Sequence, residues 1–585
     1  MILSSHRFGY RTVSRPRCSS RGASLKVGAL LLQCLLPGSV FAYSAPHSPS
    51  QPTRVQPLCS AKMSEWKAFD AEQATQARND LEIWPLDEPN AVLLNEVHPR
   101  DYPNPEPYEI YDLIAVGAGA GGLVSSRQSA RRGAKSAMIS EVLAGGDCLN
   151  VGCVPSKALI RSARAIQEVK KAKQFGVVLN EEDVQVDFAA IMRRMRELRA
   201  KIAPADGHAR GEQAGSHVFQ GRGRFTGPDT VEVNGITLKF RKAVVATGGR
   251  PGVPNLPGLK EAPYTTNEVL FNLETLPPRM VILGAGVISL EMAQTFASFG
   301  SEVTVIQRSS RLFQSKGGDK EAADLMQSAL EEDGVRFESN ATVQQVETLR
   351  ERGESPDALP LMKVTIKKGD EVKELGCECL LVATGRVANV EDLGLEAAGV
   401  EYELGKGVKV NDLSQSVSNP NVYAIGDCCA DVPRLTHMSG EMAKQVVQNA
   451  LFNDTWKLSD FVVPAVAYTE PEFATVGIIG EEDAAKKGIK VDVYKAGLEH
   501  NDRAILESNN IGFAKIFCEE GTDKIVGAVI VASRAGEMIN EVTLAMKHGI
   551  GLRGIGRNIH AYPTTGEAVM GCGIQFINSH WERLD

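Results

Sequence analysis

The sequence predicts an α/β fold, because the same local pattern of a buried strand, a glycine-rich turn and a helix occurs twice in the chain. The first copy has an apolar strand at 111–116, glycines within 117–122 and a helical stretch that ends near Gly133. The second copy has a strand at 280–283 and a glycine-rich turn at 284–289. This order of elements is typical of Rossmann-like domains with parallel sheets, so we expect two such domains in one chain.

Length and composition exclude several classes of protein. The 585 residues are 43% hydrophobic and 23% charged, close to the average for globular proteins, which argues against a disordered chain or a coiled-coil rod. The length corresponds to roughly four domains' worth of material. The net charge of −8 argues against a nucleic-acid partner, because phosphate binding needs a clustered positive surface. Eleven cysteines in so long a chain indicate chemistry rather than a disulfide scaffold.

The first 64 residues have the composition of a targeting presequence. They contain eight lysines and arginines and no acidic residue. An apolar run at 27–36 precedes Val40 and Ala42, which suit the −3 and −1 positions of a signal cleavage site, and residues 43–64 resemble a transit peptide. We therefore expect delivery to a plastid through the secretory route, with a mitochondrial or a purely secretory presequence as the alternatives. Once the presequence is removed, we expect no membrane-spanning segment.

The first glycine-rich turn has the residues that a dinucleotide site needs. Gly117 permits a tight turn, Gly119 lets the backbone approach a pyrophosphate, and Gly122 lets the helix pack closely on the strand. The free N–H groups at the start of the helix favour a bound phosphate. Glu141 ends the next strand, 24 residues after Gly117, where a carboxylate accepts hydrogen bonds from a ribose. The sequence therefore predicts a dinucleotide site here.

The second glycine-rich turn repeats the pattern with one departure. Gly284 and Gly286 occupy the first two glycine positions, and the third position is Ser289. Serine is small enough for the site but is less suited than glycine to close packing of helix on strand. One chain with two such domains can bind both a flavin and a nicotinamide dinucleotide.

The end of the next strand indicates which nicotinamide dinucleotide the second domain binds. The strand at 302–306 leads into Gln307, where an NAD site usually has a carboxylate, and Arg308 and Arg311 follow. The missing carboxylate removes a repulsion, and two guanidinium groups can pair with a 2′-phosphate. The sequence therefore predicts NADPH, although the two arginines could instead lie in a solvated turn.

Two cysteines lie close together between the first dinucleotide motif and a long helical stretch. Cys148 and Cys153 are five residues apart, and Pro155 is typical of the first turn of a helix. A chain that bends into a helix can bring the two sulfurs within disulfide distance. The helix amino terminus also stabilises a thiolate. No further ligand lies nearby at short spacing, so we predict no metal site and interpret the pair as redox-active.

The segment around these cysteines, residues 145–157, resembles the redox-disulfide signature of the class I flavoprotein disulfide reductases, or pyridine nucleotide-disulfide oxidoreductases. Segments 246–251, 383–386 and 423–427 resemble further motifs of the family and occur in its order. The resemblance covers about residues 108–580. It implies FAD in the first domain, NAD(P)H in the second and an α+β carboxy-terminal domain that forms a homodimer.

The resemblance also implies roles for individual residues. Asp427 would bind the ribityl chain of the flavin, and Lys157 would lie beside the isoalloxazine, paired with Glu291. Cys153 would face the flavin as the charge-transfer thiol, and Cys148 would exchange with substrate. Further cofactor-binding residues in the matching motifs are Thr247, Gly248 and Gly385. The implied domains are a presequence (1–64), a proline-rich, partly ordered lead-in linker (65–110), an FAD domain in two parts (111–262 and 385–458), an NAD(P)H domain (263–384) and a dimer-interface domain (459–585).

The carboxy-terminal region departs from the members of the family that reduce disulfides. Those proteins supply from the partner subunit a His-Pro dipeptide followed by a Glu, and the histidine transfers the proton. Here Tyr562 stands at the position of the base, before a proline and five residues before Glu567. A phenol titrates near 10 and an imidazole near 6.5, so Tyr562 is a poor acid–base group at neutral pH. His560 could serve instead, or could be a structural hydrogen-bonding residue.

This substitution resembles the mercuric-reductase-like FAD oxidoreductases. Reduction of a thiolate-bound metal ion needs sulfur ligands and electrons more than a proton shuttle. Mercury remains one candidate substrate only, because two features of authentic mercuric reductases have no counterpart in this sequence. These are an amino-terminal metal-binding domain with a C-x-x-C motif and a cysteine pair at the carboxy terminus, where Cys572 is the sole cysteine after residue 520. We expect the remaining cysteines to be small buried hydrophobic residues.

The sequence therefore predicts an FAD-dependent, NADPH-linked oxidoreductase of cell redox homeostasis that works as a homodimer. Its electrons pass through the cysteine pair to a metal ion or an unidentified disulfide. The first alternative is an enzyme of the dihydrolipoamide-dehydrogenase type. The second is a redox-sensing flavoprotein with little turnover.

Overall fold

The computed structural model describes residues 71–180, 184–353, 355 and 357–581. The predicted presequence, residues 1–64, lies outside the described residues. Among the described helices, none combines the length and the apolar character that a bilayer crossing requires.

Helices are distributed along the whole described chain. They are α1 (Ala71–Leu81), α2 (Glu88–Val97), α3 (Ala120–Arg131), α4 (Gly146–Asn150), α5 (Cys153–Lys171), α6 (Phe188–Ile202), α7 (His208–Gln213), α8 (Asn267–Leu270), α9 (Val287–Phe299), α10 (Lys320–Glu332), α11 (Thr436–Phe452), α12 (Glu481–Lys486), α13 (Asp502–Leu506), α14 (Ala535–Lys547), α15 (Leu552–Arg557) and α16 (Glu567–Ser579).

Strands alternate with these helices. They are β1 (Tyr111–Val116), β2 (Ser136–Ser140), β3 (His217–Gln220), β4 (Gly223–Gly227), β5 (Thr230–Val233), β6 (Ile236–Val245), β7 (Gly249–Pro251), β8 (Arg279–Leu283), β9 (Glu302–Gln307), β10 (Arg336–Ser339), β11 (Thr342–Arg350), β12 (Leu361–Lys368), β13 (Glu371–Cys377), β14 (Cys379–Val382), β15 (Arg386–Ala388), β16 (Tyr402–Glu403), β17 (Gly407–Val408), β18 (Val422–Ala424), β19 (Pro464–Ala467), β20 (Glu472–Gly477), β21 (Val491–Gly497), β22 (Phe513–Glu519) and β23 (Ile525–Ala532).

The first sheet contains the first glycine motif and is built from two separate stretches of the chain. Its order is β3-β2-β1-β6-β5-β4, and β18 also pairs with β6. Strands β1, β2, β3, β6 and β18 pair in parallel. Because helices cover such parallel strands, β1 is almost wholly apolar and buried. Strand β18 comes from the range predicted to return to the first domain.

The second sheet contains the second glycine motif. Its order is β10-β9-β8-β14, and all its pairs are parallel. Side chains of α9 and α10 pack with one face of it, and the antiparallel sheet β11-β12-β13 contributes to the core on the other. This arrangement and the first sheet confirm the prediction of two Rossmann-like domains.

The carboxy-terminal region forms a third sheet of different type. Its order is β19-β20-β23-β22-β21, and every pair is antiparallel. One face packs with α14 and α16, while the other shares a hydrophobic core with α9 and α10 of the second domain. Helices gathered on one antiparallel sheet make this an α+β domain, as the sequence predicts.

The lead-in before β1 has more structure than the partly ordered linker that its prolines suggest. It contains α1 and α2, and Pro89 occupies the first turn of α2, where a missing N–H costs no helical hydrogen bond. Asp87 caps this helix by accepting a hydrogen bond from the Asn90 N–H at 3.2 Å. Apolar side chains of α2 then pack with Leu149 of α4. The described part of the lead-in, residues 71–110, is thus part of the folded core.

The glycines of the first motif are required by geometry that other residues cannot adopt. Gly117 has a φ of +115°, which favours glycine. A Cβ at Gly122 would lie 1.8 Å from the carbonyl oxygen of Gly117, so the helix approaches the turn too closely for any side chain. At Gly286 of the second motif, by contrast, no atom lies within 4 Å of an added Cβ.

We predict that Gly122→Ala lowers the free energy of unfolding by about 3 kcal/mol or more, because a methyl group there forces backbone atoms apart. Gly286→Ala is the matched control, and we expect it to cost less than about 1 kcal/mol. Urea denaturation of the two variants measures the difference. Equal stabilities for the two variants would contradict the packing role of Gly122.

Candidate active site

A cavity of about 770 Å³ opens at the carboxyl ends of the parallel strands of the first sheet. Strand β1 lies between β2 and β6 there, so the connections from these strands diverge and leave a crevice, as in other doubly wound sheets. The residues predicted from sequence that line this cavity are Gly117, Gly119, Glu141, Cys148, Thr247, Gly248 and Asp427.

The cavity walls fit the FAD that the sequence predicts. Gly119 precedes α3, and an added Cβ there would meet only Gly146, at 3.9 Å, so a pyrophosphate can approach the helix amino terminus. Glu141 lies exposed at the end of β2 and contacts Arg222 at 3.1 Å. A volume of this size is ordinary for a cofactor site. Glu141, Gly117, Gly119 and Asp427 would therefore hold FAD.

Arg386 connects the cavity wall to Asp147, the residue before Cys148. Its Nε donates to Asp427 Oδ2 at 3.0 Å, and its Nη2 donates to the carbonyl oxygen of Gly249 at 2.6 Å and to the carboxylate of Asp147. Asp147 directly precedes Cys148. One guanidinium group therefore fixes the carboxylate predicted to bind the ribityl chain and the residue next to the outer cysteine.

The two cysteines lie on either side of a turn between two helices. Cys148 is in α4, and Cys153 is the first residue of α5. A Cβ on Gly152 would lie 2.7 Å from the carbonyl oxygen of Asp147, so this tight turn excludes larger residues. Both cysteines are half-buried. Cys153 Sγ also lies 3.3 Å from the hydroxyl of Thr436 at the start of α11.

The environment shifts the pKa values of the two thiols in opposite directions. A hydrogen bond from Cys148 lowers the pKa of Cys153 to about 6, although burial opposes the shift. The hydroxyl of Thr436 and the charge of Lys157 lower it further. The same contact with Cys153, together with burial, raises the pKa of Cys148. Near neutral pH the reduced pair therefore holds a thiolate at Cys153 and a thiol at Cys148.

Lys157 is held by residues from both other domains. Its Nζ lies 2.9 Å from Glu291 Oε2 in α9, the partner that the family resemblance implies. The other oxygen of Glu291 accepts a hydrogen bond from the backbone N–H of Tyr468 at 3.0 Å. The ammonium also lies 4.5 Å from the ring centroid of Tyr468, within cation–π distance. These contacts fix the ammonium that lowers the pKa of Cys153.

The second glycine turn has an open face for a nicotinamide dinucleotide. Gly284 has a φ of +103°, and a Cβ there would lie 2.6 Å from the carbonyl oxygen of Ala383. The space beside Gly286 is open. Ser289 is fully buried, and its hydroxyl has no hydrogen-bond partner in the described chain. A serine at the third position of the motif therefore leaves a buried hydroxyl unpaired, which costs free energy. Gly385, predicted to bind cofactor, has a φ of +146° in the turn after β14.

The two arginines after β9 have different surroundings. Arg308 is exposed beside Gln307, whose amide donates to Ser339 Oγ at 2.7 Å. Arg311, predicted to bind a 2′-phosphate, instead lies 2.6 Å from Glu482 of α12, with 14% of its side chain exposed. Glu482 engages one nitrogen of this guanidinium, and Nη1 has no hydrogen-bond partner in the described chain. Binding of a 2′-phosphate by Arg311 therefore stays a prediction, and Arg308 is the more exposed of the two arginines.

The three predicted carboxy-terminal residues make contacts within their own chain and do not line the cavity that holds Cys148. Tyr562 is 71% exposed, and its hydroxyl donates to Asp502 at 2.6 Å, which raises its pKa. His560 Nε2 lies 2.9 Å from Glu541. Glu567 accepts a hydrogen bond from the backbone N–H of Thr564 at 3.0 Å.

The cysteines outside the redox pair, where they are described, are buried as predicted. They are Cys377, Cys379, Cys428, Cys429, Cys518 and Cys572.

The sequence did not predict a role in the site for Thr436, Tyr468 or Arg386. Of these, only Arg386 stands in a motif that the sequence makes visible.

Comparison with known proteins identifies the family of this chain. The family model for pyridine nucleotide-disulphide oxidoreductases matches residues 111–443, and the model for their dimerisation domain matches residues 463–571. A mercuric reductase of Lysinibacillus sphaericus is 33% identical over 516 residues, covering 88% of this chain and 89% of that protein. A dihydrolipoyl dehydrogenase of Thermus scotoductus is 33% identical over 465 residues, covering 79% and 96%.

Solved structures show the same fold. The Cu(II) complex of the HOCl-induced flavoprotein disulfide reductase RclA from Escherichia coli matches with a TM-score of 0.68 at 23% identity, covering 80% of this chain and all of that one. The dimerisation domain supports a homodimer. Members of the matched family use FAD and NAD(P)H. The chain belongs to the pyridine nucleotide-disulphide oxidoreductases and is an FAD flavoprotein oxidoreductase.

Proposed function

We propose that the protein passes electrons from NADPH through FAD and the Cys148–Cys153 pair to a thiolate-bound metal ion. The observation that carries this proposal is the placement of the cysteine pair: Cys148 lines the cofactor cavity, and Cys153 begins α5 with its sulfur 3.3 Å from the Thr436 hydroxyl. In this setting the pKa of Cys153 is lowered and that of Cys148 is raised. A stable thiolate beside a protonated partner is the arrangement that a redox dithiol needs, because one sulfur contacts the cofactor while the other reacts outside.

The residues of the chain have separate tasks in this scheme. Bound FAD supplies two-electron chemistry between the nicotinamide and the disulfide. Two electrons break the Cys148–Cys153 bond, which leaves a thiolate at Cys153 and, after uptake of one proton, a thiol at Cys148. Lys157 and Thr436 stabilise that thiolate. Passing the two electrons on to the acceptor restores the disulfide.

The carboxy-terminal residues favour a metal ion over a disulfide as acceptor. Exchange with a disulfide requires a group that transfers a proton to the departing thiolate. Tyr562, which stands at the position of the base, has a raised pKa, so its phenol is a poor proton-transfer group near neutral pH. Reduction of a thiolate-bound metal ion needs no such transfer. A mercuric ion is the acceptor that this argument favours, and a mercuric reductase is among the relatives of this chain.

Two alternatives remain, an enzyme acting on dihydrolipoamide and a redox-sensing flavoprotein with little turnover. The first has support from a dihydrolipoyl dehydrogenase that is 33% identical to this chain, the same sequence identity as that of the mercuric reductase.

We also propose, from the sequence of residues 1–64 alone, that the protein acts in a plastid and contributes to redox homeostasis there.

We predict that NADPH oxidation by the purified protein is about a hundredfold faster with thiol-complexed Hg(II) than with oxidised glutathione or lipoamide, the factor that a missing proton-transfer group costs. In the same assay, Tyr562→His should raise turnover of the disulfides. Fastest turnover with lipoamide would favour the dihydrolipoamide alternative, and slow turnover with every acceptor would favour the sensor.

We predict that the charge-transfer absorbance of the two-electron-reduced protein persists down to about pH 6, the pKa of Cys153. Above that pH the sulfur is a thiolate, and below it the thiol no longer donates charge. Thr436→Val removes one hydrogen bond to the thiolate and should raise the midpoint by about one pH unit. Spectrophotometric titration measures both midpoints. Cys153→Ser is the control, and a band that survives in this variant would refute the assignment.

We predict that Arg308→Glu raises the KM for NADPH about tenfold and leaves the KM for NADH nearly unchanged, since one charge-assisted hydrogen bond is lost. Arg336→Glu is the matched control, because Arg336 is also exposed but pairs with Glu302 at the opposite end of the same sheet. Steady-state kinetics with both dinucleotides measure the preference. An unchanged ratio for Arg308→Glu would mean that this arginine lies in a solvated turn.

A further inference from the structure

We infer that the lead-in helix α2, which precedes the part of the chain that the family model matches, positions the outer cysteine Cys148. The inference rests on the proposed function, in which Cys148 exchanges electrons with the acceptor. One bridge through Arg199 of α6 and two direct contacts between α2 and residues 144–150 carry it.

The first contact passes through a fully buried arginine. Arg199 of α6 has no exposed surface, and burial lowers its pKa to about 10. Its Nη1 donates to the carbonyl oxygen of Asn150 at 2.6 Å, and its Nη2 donates to Asn90 Oδ1 of α2 at 2.7 Å. Asn90 is itself fully buried and donates to the carbonyl oxygen of Pro85 at 2.7 Å. One guanidinium group thus joins the lead-in to the backbone between the two cysteines.

The second and third contacts hold the other side of the same segment. The backbone N–H of Ala144 donates to the carbonyl oxygen of Val97, the last residue of α2, at 3.0 Å. Leu93 and Leu94 of α2 belong to the same hydrophobic cluster as Leu149, the residue after Cys148. Residues 144–150, which contain Cys148, are therefore attached to α2 at both ends, directly at Ala144 and through Arg199 at Asn150.

This attachment matters because a disulfide tolerates little change in geometry. The Cα atoms of bonded cysteines lie about 4.4–6.8 Å apart with a preferred torsion, and departures from this geometry make the bond easier to reduce. Cys153 is fixed by the long helix α5, whereas Cys148 lies in the five-residue helix α4. The geometry of the pair therefore depends on what holds α4, and α2 supplies much of that support.

The test is the dithiol–disulfide equilibrium of the full-length holoenzyme in glutathione redox buffers, read by mass spectrometry after thiol trapping. Asn90→Leu removes the acceptor for Arg199 and keeps a side chain of similar size. We expect it to lower the equilibrium constant for the Cys148–Cys153 disulfide about tenfold, the effect of one hydrogen bond to a charged group. Asn90→Ser shortens the side chain, removes the same acceptor and tests the same point with a smaller change in polarity.

The matched control is Asn104→Leu. Asn104 also belongs to the lead-in and makes two hydrogen bonds, but both are to the backbone of Gln220, far along the chain from the cysteines. We expect it to lower thermal stability without changing the equilibrium constant. Equal constants for wild type and both Asn90 variants would overturn the inference. A wild-type protein that formed no Cys148–Cys153 disulfide would instead overturn the proposed function.

Discussion

The contact between Cys148 and Cys153 across the turn at Gly152 is the interaction on which the rest of the site depends. This contact is the largest cause of both pKa shifts, because it lowers the pKa of Cys153 and raises that of Cys148. One sulfur is therefore a thiolate and the other a thiol. Burial alone would raise both pKa values and leave two inert thiols. Cys148 lines the cofactor cavity, and Cys153 lies across the turn from it at the start of α5, where the surrounding domains hold it.

All three domains meet at helix α5, which begins with the inner cysteine. Its Lys157 pairs with Glu291 of the second domain, and Tyr468 of the third domain contacts both members of that pair. Arg164 of the same helix extends the contact, because it lies 2.9 Å from Glu472 in β20. The charge that stabilises the thiolate therefore depends on how the nicotinamide and interface domains pack against the flavin domain.

The sequence was sufficient where a local pattern sets the geometry. The glycine turns predict both Rossmann-like domains, because a positive φ at Gly117 and the absence of a side chain at Gly122 are requirements of a few consecutive residues. Contacts between distant parts of the chain could not be predicted in this way. Thr436 lies 283 residues after Cys153, and Arg311 pairs with Glu482 across 171 residues.

The lead-in also makes contacts that a local sequence pattern could not predict. Its prolines argue correctly against long helices, but nothing in residues 65–110 indicates that a buried arginine of α6 will join Asn90 to the cysteine segment. His560 and Tyr562 likewise contact Glu541 and Asp502, which are 19 and 60 residues away along the chain.

Anaerobic reductive titration of the purified protein tests most directly whether the cysteine pair stores electrons in addition to the flavin. We expect the wild-type protein to accept about four electrons per subunit, two on the flavin and two on the disulfide, and Cys148→Ser to accept about two. A wild-type protein that is fully reduced by two electrons would contradict the account.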